Sequence, residues 1–247
     1  MNKTWEGIVL ANRDYRENDA ILTVCTQNEG IQSLTARGIR RISSKNSAAV
    51  QEFTHARFLV DFHEHSNLHT MRTADVIHSH HRIRFDLDKQ SVGSVMLECV
   101  MKADWEEDSF GFLDQALTNL EQSDQLHALL ALFFSCMNRK LGIEPFADGC
   151  VCCQRSDEIC AISLYHGGFV CRHCFDPGRD THYDKVDLKS FRLLCHAPFS
   201  QFHRLTELQQ WRYEHVLMVY RFFAEYSGIR IQSMRFLNHL QELSGRE

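Results

Sequence analysis

Long apolar runs are missing from this 247-residue chain. None approaches the ~20 residues that a helix needs to cross a bilayer, so no membrane span or membrane partner is expected. The N-terminal stretch MNKTWEGIVLANRDYREND holds only a four-residue apolar run, Ile8 to Ala11, which is too short for the core of a signal peptide. A cytoplasmic, reducing location is the expectation. In such a compartment the ten cysteines favour metal over disulfides.

Motifs of catalysis are scarce as well. There is no glycine-rich phosphate loop ending in Gly-Lys-Ser/Thr, so nucleotide-driven work has no support. A zinc deaminase needs His-x-Glu and then Pro-Cys-x-x-Cys, but Gly149 stands where that proline would be. His63-Glu64-His65 resembles the start of a zinc-protease helix, yet its histidines are two apart where that motif needs four. No catalytic residues are assigned and no enzyme is expected, although a nucleophilic Cys152 beside a histidine stays open as a minor alternative.

What is present is a pair of Cys-x-x-Cys hooks. In the stretch from Cys150 to Cys174, CVCCQRSDEICAISLYHGGFVCRHC, 17 residues separate the hooks, a spacing typical of structural zinc modules. Two thiolate pairs complete the tetrahedral sulfur shell that Zn²⁺ prefers, which makes Cys150, Cys153, Cys171 and Cys174 the expected ligands of one structural ion per chain. Cys152, inside the first hook, competes for the assignment, and Cys160 is read as a non-ligand. Four thiolates leave no open position, so the metal is expected to hold the fold and do no chemistry.

Net charge is −5, with 27 Lys+Arg against 32 Asp+Glu. The charge is unevenly spread: residues 1–85 carry 11 basic against 9 acidic side chains, or +2, which leaves −7 for the rest. An anionic partner should therefore meet the N-terminal part. That part reads as five short strands, near Trp5–Leu10, Ala20–Thr26, Ile31–Ala36, Phe53–Phe62 and Leu68–Ile77, separated by polar turns. Five strands in so short a span suggest a small closed barrel. Between the third and fourth strands lies RGIRRISSKNSAAVQ, and no carboxylate occurs between Glu29 and Glu52. Arg37, Arg40, Arg41 and Lys45 in that loop are the candidate phosphate contacts, helped by Lys3 and Arg13, with nearby serines adding hydrogen bonds. A merely solvated basic face is the competing reading.

Seven histidines crowd the same region: His55, His63, His65, His69, His78, His80 and His81. They are read as exposed strand and loop residues that titrate near ~6.5, so affinity for an anionic partner should rise as pH falls. His63 and His65, on one strand face, are a conceivable weak metal site.

Asp14-Tyr15-Arg16-Glu17-Asn18-Asp19, Thr26 and Gly30, Ala36 to Arg41, Gln51-Glu52-Phe53 and Ala74-Asp75 follow one another in an order and spacing that resemble the N-terminal part of the RecO family of bacterial DNA repair and recombination mediators. The likeness continues through Leu141-Gly142 with Pro145, both hooks, Gly167-Gly168 and the closing run Tyr226 to Leu237. It implies an OB-fold barrel that binds single- and double-stranded DNA, anneals complementary strands without ATP, and works with RecR. It further implies loading of RecA onto DNA coated by single-strand-binding protein, contact with that protein's acidic-hydrophobic C-terminal tail, and association with the nucleoid. Arg230 and Arg235 are candidates for the tail.

After residue 80 the apolar period becomes helical, with one stripe at Val92, Val95, Met96, Cys99 and Ala103 and another at Leu126, Leu129, Leu130, Phe133, Met137 and Leu141. Cys99 and Cys136 fall on these stripes as inert core thiols. The expected architecture is α+β: an OB-fold DNA-binding domain over 1–80, then an α-helical domain over 81–247 with the zinc module inserted at about 148–178. Two other functions stay open, a zinc-stabilised protein-interaction adaptor with weak DNA binding and a redox switch using Cys150, Cys152 and Cys153.

Overall fold

A computed structural model describes residues 1–103 and 108–244. The chain divides into two compact units, one of residues 1–124 with 232–242 and the other of 125–231 with 243–247.

Five strands build the first unit: β1 (Asn2–Tyr15), β2 (Asp19–Thr26), β3 (Ile31–Ala36), β4 (His55–Asp61) and β5 (Leu68–His78). They close into a barrel in the order β1-β2-β3-β5-β4, with β4 returning to β1. Every pairing is antiparallel except β3 with β5. This is the five-stranded OB-type barrel expected from the sequence. β1 is long enough to serve two neighbours, pairing β4 through residues 2–8 and β2 through residues 7–15, and its register shifts between Val9 and Ala11. The shift disturbs simple alternation. Trp5, Val9, Leu22, Val24, Leu34, Phe58 and Val60 fill the barrel, whereas Ile8, Leu10 and Cys25 are buried outside that cluster.

Those outer apolar residues need cover, and helices supply it. After the short α1 (His81–Arg84), α2 (Leu87–Lys102) lies against β1, while α3 (Ser109–Gln122) lies against both β1 and β2. Cys25 Sγ is 3.5 Å from Ser109 Oγ at the start of α3. Asp86 caps α2 by accepting the backbone N–H of Lys89 at 3.0 Å. Glu98 on α2 reaches the start of α8 (Ser233–Ser244), where the N–H groups of Gln232 and Ser233 each donate to it at 2.8 Å. Burial alone would raise its pKa, but these bonds, the Ser233 hydroxyl and Lys102 bring it down to about 2. An anionic carboxylate at a helix N-terminus is the favourable arrangement. The helical pattern begins near residue 81, but compactness groups α1 to α3 with the barrel. Their apolar stripes face strands as well as each other.

The second unit is built around α4 (Leu126–Lys140) packed on α7 (Tyr213–Ser227), with α5 (Lys185–His196) and α6 (Phe202–Leu208) beside α4. α4 is buried on all sides from Ala128 to Asn138, a wider contact than the single stripe read from its sequence. It therefore carries satisfied polar groups: Asn138 Nδ2 donates to the Val219 carbonyl at 3.1 Å, and the Arg139 guanidinium donates to the carbonyls of Leu194, Cys195 and Ala197 at the end of α5. Cys99 and Cys136 are buried, and desolvation raises both thiol pKa values. Between α4 and α5 sits a three-stranded sheet in the order β7-β6-β8, from β6 (Ile159–Ser163), β7 (Gly168–Cys171) and β8 (Asp180–His182). β8 carries no signal in the sequence, since three residues hold no period.

Gly93, in α2, shows how closely the barrel unit is packed. A Cβ there would lie 2.7 Å from Phe53 Cε1, 3.2 Å from Leu120 and 3.3 Å from Ile83. Gly93→Ala should destabilise the protein by about 1–3 kcal/mol through overpacking, despite alanine's better helix propensity. Chemical denaturation checks this; equal or greater stability would show that Phe53 has room to move.

Candidate nucleic-acid interface and metal centre

The chain from Arg37 to Thr54 contains no helix or strand, yet it is firmly held. Ile39, Ala49 and Val50 are part of the barrel's buried cluster, and Phe53 is also buried. Gly38 adopts a φ of +63° that suits glycine, and its N–H donates to Asp19 Oδ1 at 2.8 Å. Further ties run from Arg40 N–H to the Asn18 carbonyl, from Asn12 Nδ2 to the Val50 carbonyl at 2.9 Å, and from Ala74 N–H to Asn46 Oδ1. The apolar residues of the loop plug one end of the barrel, and its polar residues face out.

Arg37, Arg40, Arg41 and Lys45 are all exposed on this plug, and Arg13 is exposed near the end of β1. Arg40 is ion-paired with Asp14. Among the described residues, Arg37, Arg41, Lys45 and Arg13 have no recorded ion pair. Arg40 and Arg41 line an open cleft of about 770 Å³ together with Asn12, Ser47, Gln51 and Arg84. Asp14 and Glu52 border it too, so the cleft is cationic without being purely so. Lys3 is elsewhere: at ~3.4 Å per residue, ten positions along β1 put it roughly 30 Å from Arg13. There it pairs with Glu29 at 2.9 Å and lies over the Phe62 ring. Two neighbours were missed from sequence. Ile42 is fully exposed between Arg41 and Ser43, and Arg84, in α1, donates to the Glu52 carbonyl and Thr54 Oγ1.

The histidines do not form the exposed set expected of them. His55, His69 and His80 are buried. His55 is held between Glu6 at 3.0 Å and Asp114 at 3.4 Å, while burial and the neighbouring His63 lower the pKa of His69. Exposed His63 and His65 lie in the β4–β5 loop, next to the Phe62 N–H that donates to the Met1 carbonyl, and so at the Lys3 end of the barrel. Three of the seven are buried by tertiary contacts, His55 against α3 and His80 beyond the end of β5 beside Glu121, which sequence crowding did not reveal.

In the second unit the hooks do converge. The Sγ atoms of Cys150, Cys153, Cys171 and Cys174 all lie within 4.8 Å of one another, and Cys153 to Cys171 is 3.7 Å. A tetrahedron of ~2.3 Å metal–sulfur bonds has sulfur–sulfur edges of about 3.8 Å, so the donor set fits a thiophilic metal ion. The hooks are shaped by backbone: Gln154 N–H donates to the Cys150 carbonyl at 2.8 Å, and Cys150 N–H to the Arg155 carbonyl at 2.7 Å. Gly149 is needed here because a Cβ would stand 3.0 Å from that carbonyl. Burial pushes the Cys150 thiol up, but backbone N–H groups of Cys171, Cys153 and Cys152 aimed at it bring its pKa down to about 6, towards the thiolate that ligates. Cys152 is exposed and Cys160 half-buried, and neither belongs to the converging group.

An OB-type barrel with a basic plug, followed along the chain by a helical unit with four converging cysteines, defines a class of OB-barrel proteins with an appended four-cysteine module. Comparison with known proteins makes this specific. Residues 1–80 match the family model for the recombination protein O N terminal and residues 84–235 that for its C terminal. Proteins named DNA repair protein RecO are similar along nearly the whole chain: that of Halalkalibacterium halodurans is 28% identical over 96% of this chain and 95% of its own length, and that of Bacillus pumilus 28% over 96% and 94%. One from Bacillus cereus is 28% identical over 96% of this chain and 97% of its own. The chain belongs to the RecO family of DNA repair and recombination proteins.

Cys171→Ser should strip the metal. After dialysis against a mild chelator that clears any looser site, elemental analysis should give about one ion per chain for the native sequence and well under half for the variant. Because such binding contributes on the order of 10–16 kcal/mol of apparent folding energy in small modules, hydrogen exchange should accelerate first in β6 and β7. Full metal content in the variant would contradict the four-thiolate assignment.

Proposed function

We propose that this protein is a recombination mediator that grips the DNA backbone through the plugged end of its barrel. In this reading it anneals complementary strands without ATP and, with RecR, loads RecA onto DNA coated by single-strand-binding protein. The observation that carries the reading is the loop from Arg37 to Thr54: it presents Arg37, Arg41 and Lys45 in the open while its own apolar residues anchor it in the barrel. Cations on a rigid mount lose little freedom when they meet phosphate, whereas cations on a loose loop would have to be ordered first. Annealing needs no catalytic group, since neutralised phosphates let strands approach and base pairing supplies the driving force. We assign the thiolate-held metal as Zn²⁺, a closed structural ion, and we read the protein as having no enzymatic step of its own.

Arg40 enters this scheme differently from its neighbours, because it must leave Asp14 before it meets phosphate. Three free cations predict a salt slope of about −2 on single strands. Replacing Arg41 and Lys45 together by alanine should reduce that slope by about 1.4 and weaken binding irrespective of base sequence. Fluorescence anisotropy over a salt series measures both; an unchanged slope would sink the loop assignment.

For the tail of single-strand-binding protein, we propose the cleft of about 770 Å³ beside the metal module. Arg172, Lys185, Lys189 and Arg192 border it, with Ile159, Phe169 and Leu188 among its apolar lining. Four cations against two carboxylates, Glu158 and Asp184, around apolar residues complement an acidic-hydrophobic peptide; Arg230 and Arg235 are not among those lining it. Reversing Lys189 and Arg172 to glutamate should weaken binding of the tail peptide at least ~10-fold, equivalent to ~1.4 kcal/mol, while leaving DNA affinity intact. Undiminished peptide binding by calorimetry would place the tail elsewhere.

A further inference from the structure

One cluster in the barrel unit is used by none of the functions above. At the end of β5 the chain runs His78-Ser79-His80, and the side chains of both histidines meet Glu121, the penultimate residue of α3. Their ligand atoms lie within 4.8 Å of one another. His78 Nε2 is 2.7 Å from Glu121 Oε2, and His80 Nδ1 is 3.3 Å from the same oxygen.

Three features distinguish this cluster from an ordinary buried hydrogen-bond network. His80 is fully buried, and among the described residues neither ring nitrogen makes a well-directed hydrogen bond; Nδ1 has only its 3.3 Å ion-pair contact with Glu121. His55, its buried counterpart nearby, has both nitrogens occupied by carboxylates. Buried imidazoles so poorly partnered are rare, since they forgo hydration for little in return. Second, His80 sits at φ 42°, ψ 42°, a left-handed conformation that β-carbon residues avoid unless something fixes them there. Third, Glu121 is an almost buried carboxylate, 10% exposed, at the negative end of a helix. That position calls for positive charge. Lys89 does not supply it to the carboxylate, since its Nζ donates to the Glu121 backbone carbonyl and pairs with Asp124; besides His78 and His80, among the described residues only the exposed His81 comes near, with Nδ1 3.9 Å from Oε1.

We propose that His78, His80 and Glu121 form a second metal site, a three-ligand site for Zn²⁺ that ties the end of β5 to α3 and keeps its fourth position for water. Two imidazoles and one carboxylate suit Zn²⁺, with bonds of ~2.0–2.2 Å that set donor–donor edges near 3.4 Å. The His80–Glu121 distance already fits this edge, and the His78–Glu121 contact needs to open by about 0.7 Å as the ion replaces the shared proton. Glu121 is oriented by the second partner such ligands normally have: its other oxygen, Oε1, accepts the Arg82 N–H at 3.2 Å. His78, with a side chain 53% exposed, forms the solvent-facing wall through which ion and water enter. The closed four-thiolate site cannot offer such an open position.

The test uses the full chain with its thiolate site already filled, verified by elemental analysis, so that failure of that site is seen before this one is probed. Zn²⁺ is then titrated calorimetrically at neutral pH in a non-coordinating buffer, and thermal midpoints are recorded with and without the ion. The native chain should take up one further equivalent with micromolar or tighter affinity and melt higher. His78→Asn, chosen because this exposed residue should not be needed for folding, should weaken that equivalent at least ~10-fold and abolish the thermal shift. His63→Asn should change neither. With Co²⁺ in place of Zn²⁺, the second equivalent should give weak visible bands without the intense thiolate charge-transfer absorption. Absence of a second equivalent, or its persistence at unchanged affinity in His78→Asn, would overturn the proposal and leave the uptake, if any, to scattered surface histidines.

Discussion

Burial of Ile39, Ala49 and Val50 in the open end of a five-stranded barrel is the constraint on which the proposed interface depends. A segment with no helix or strand would ordinarily pay for any ligand contact in lost freedom. Here its apolar side chains have already been fixed by the same hydrophobic contacts that complete the barrel, and backbone bonds to Asp19, Asn18 and Asn12 set the loop's path. The arginines and the lysine are therefore presented by structure that folding has already ordered. Their charge is local: the chain as a whole is acidic, but a cluster of cations within a Debye length of about 8–10 Å governs what a phosphate meets.

The metal module solves a different problem. The segment from Cys150 to Cys174 buries a small cluster around Ala161 and Val170, two of the cysteines themselves belonging to it, and on its other side little more than Ile162 and Phe169, the latter against Phe191 of α5. That is too little apolar surface to hold two knuckles and three short strands by packing alone. Thiolate coordination substitutes for a core, and the backbone N–H groups around Cys150 lower the cost of the charged sulfur before any ion arrives.

Helices complete the barrel unit because the barrel is not apolar on its inside only. Ile8, Leu10 and Cys25 face outward from β1 and β2, and α2 and α3 cover them. Gly93 permits α2 to approach Phe53, and Glu98 joins α2 to the start of α8. A unit defined by compactness thus extends past the point where the sequence changes period.

The sequence by itself determined the five barrel strands in outline, the hooks and the cationic loop. Strand alternation, Cys-x-x-Cys spacing and a run without carboxylates are local patterns, each with a physical cause that acts within a few residues or one metal shell. Even the ends of β3, Ile31 and Ala36, were legible. Only the tertiary structure decided which charges are free and which histidines are buried. Arg40 meets Asp14 because the β1–β2 turn lies beside the loop, Lys3 is carried to the far end by a long strand, and His80 is shut in against Glu121 from a helix some forty residues later. Those outcomes depend on pairings between distant segments, and no window of the sequence contains both partners.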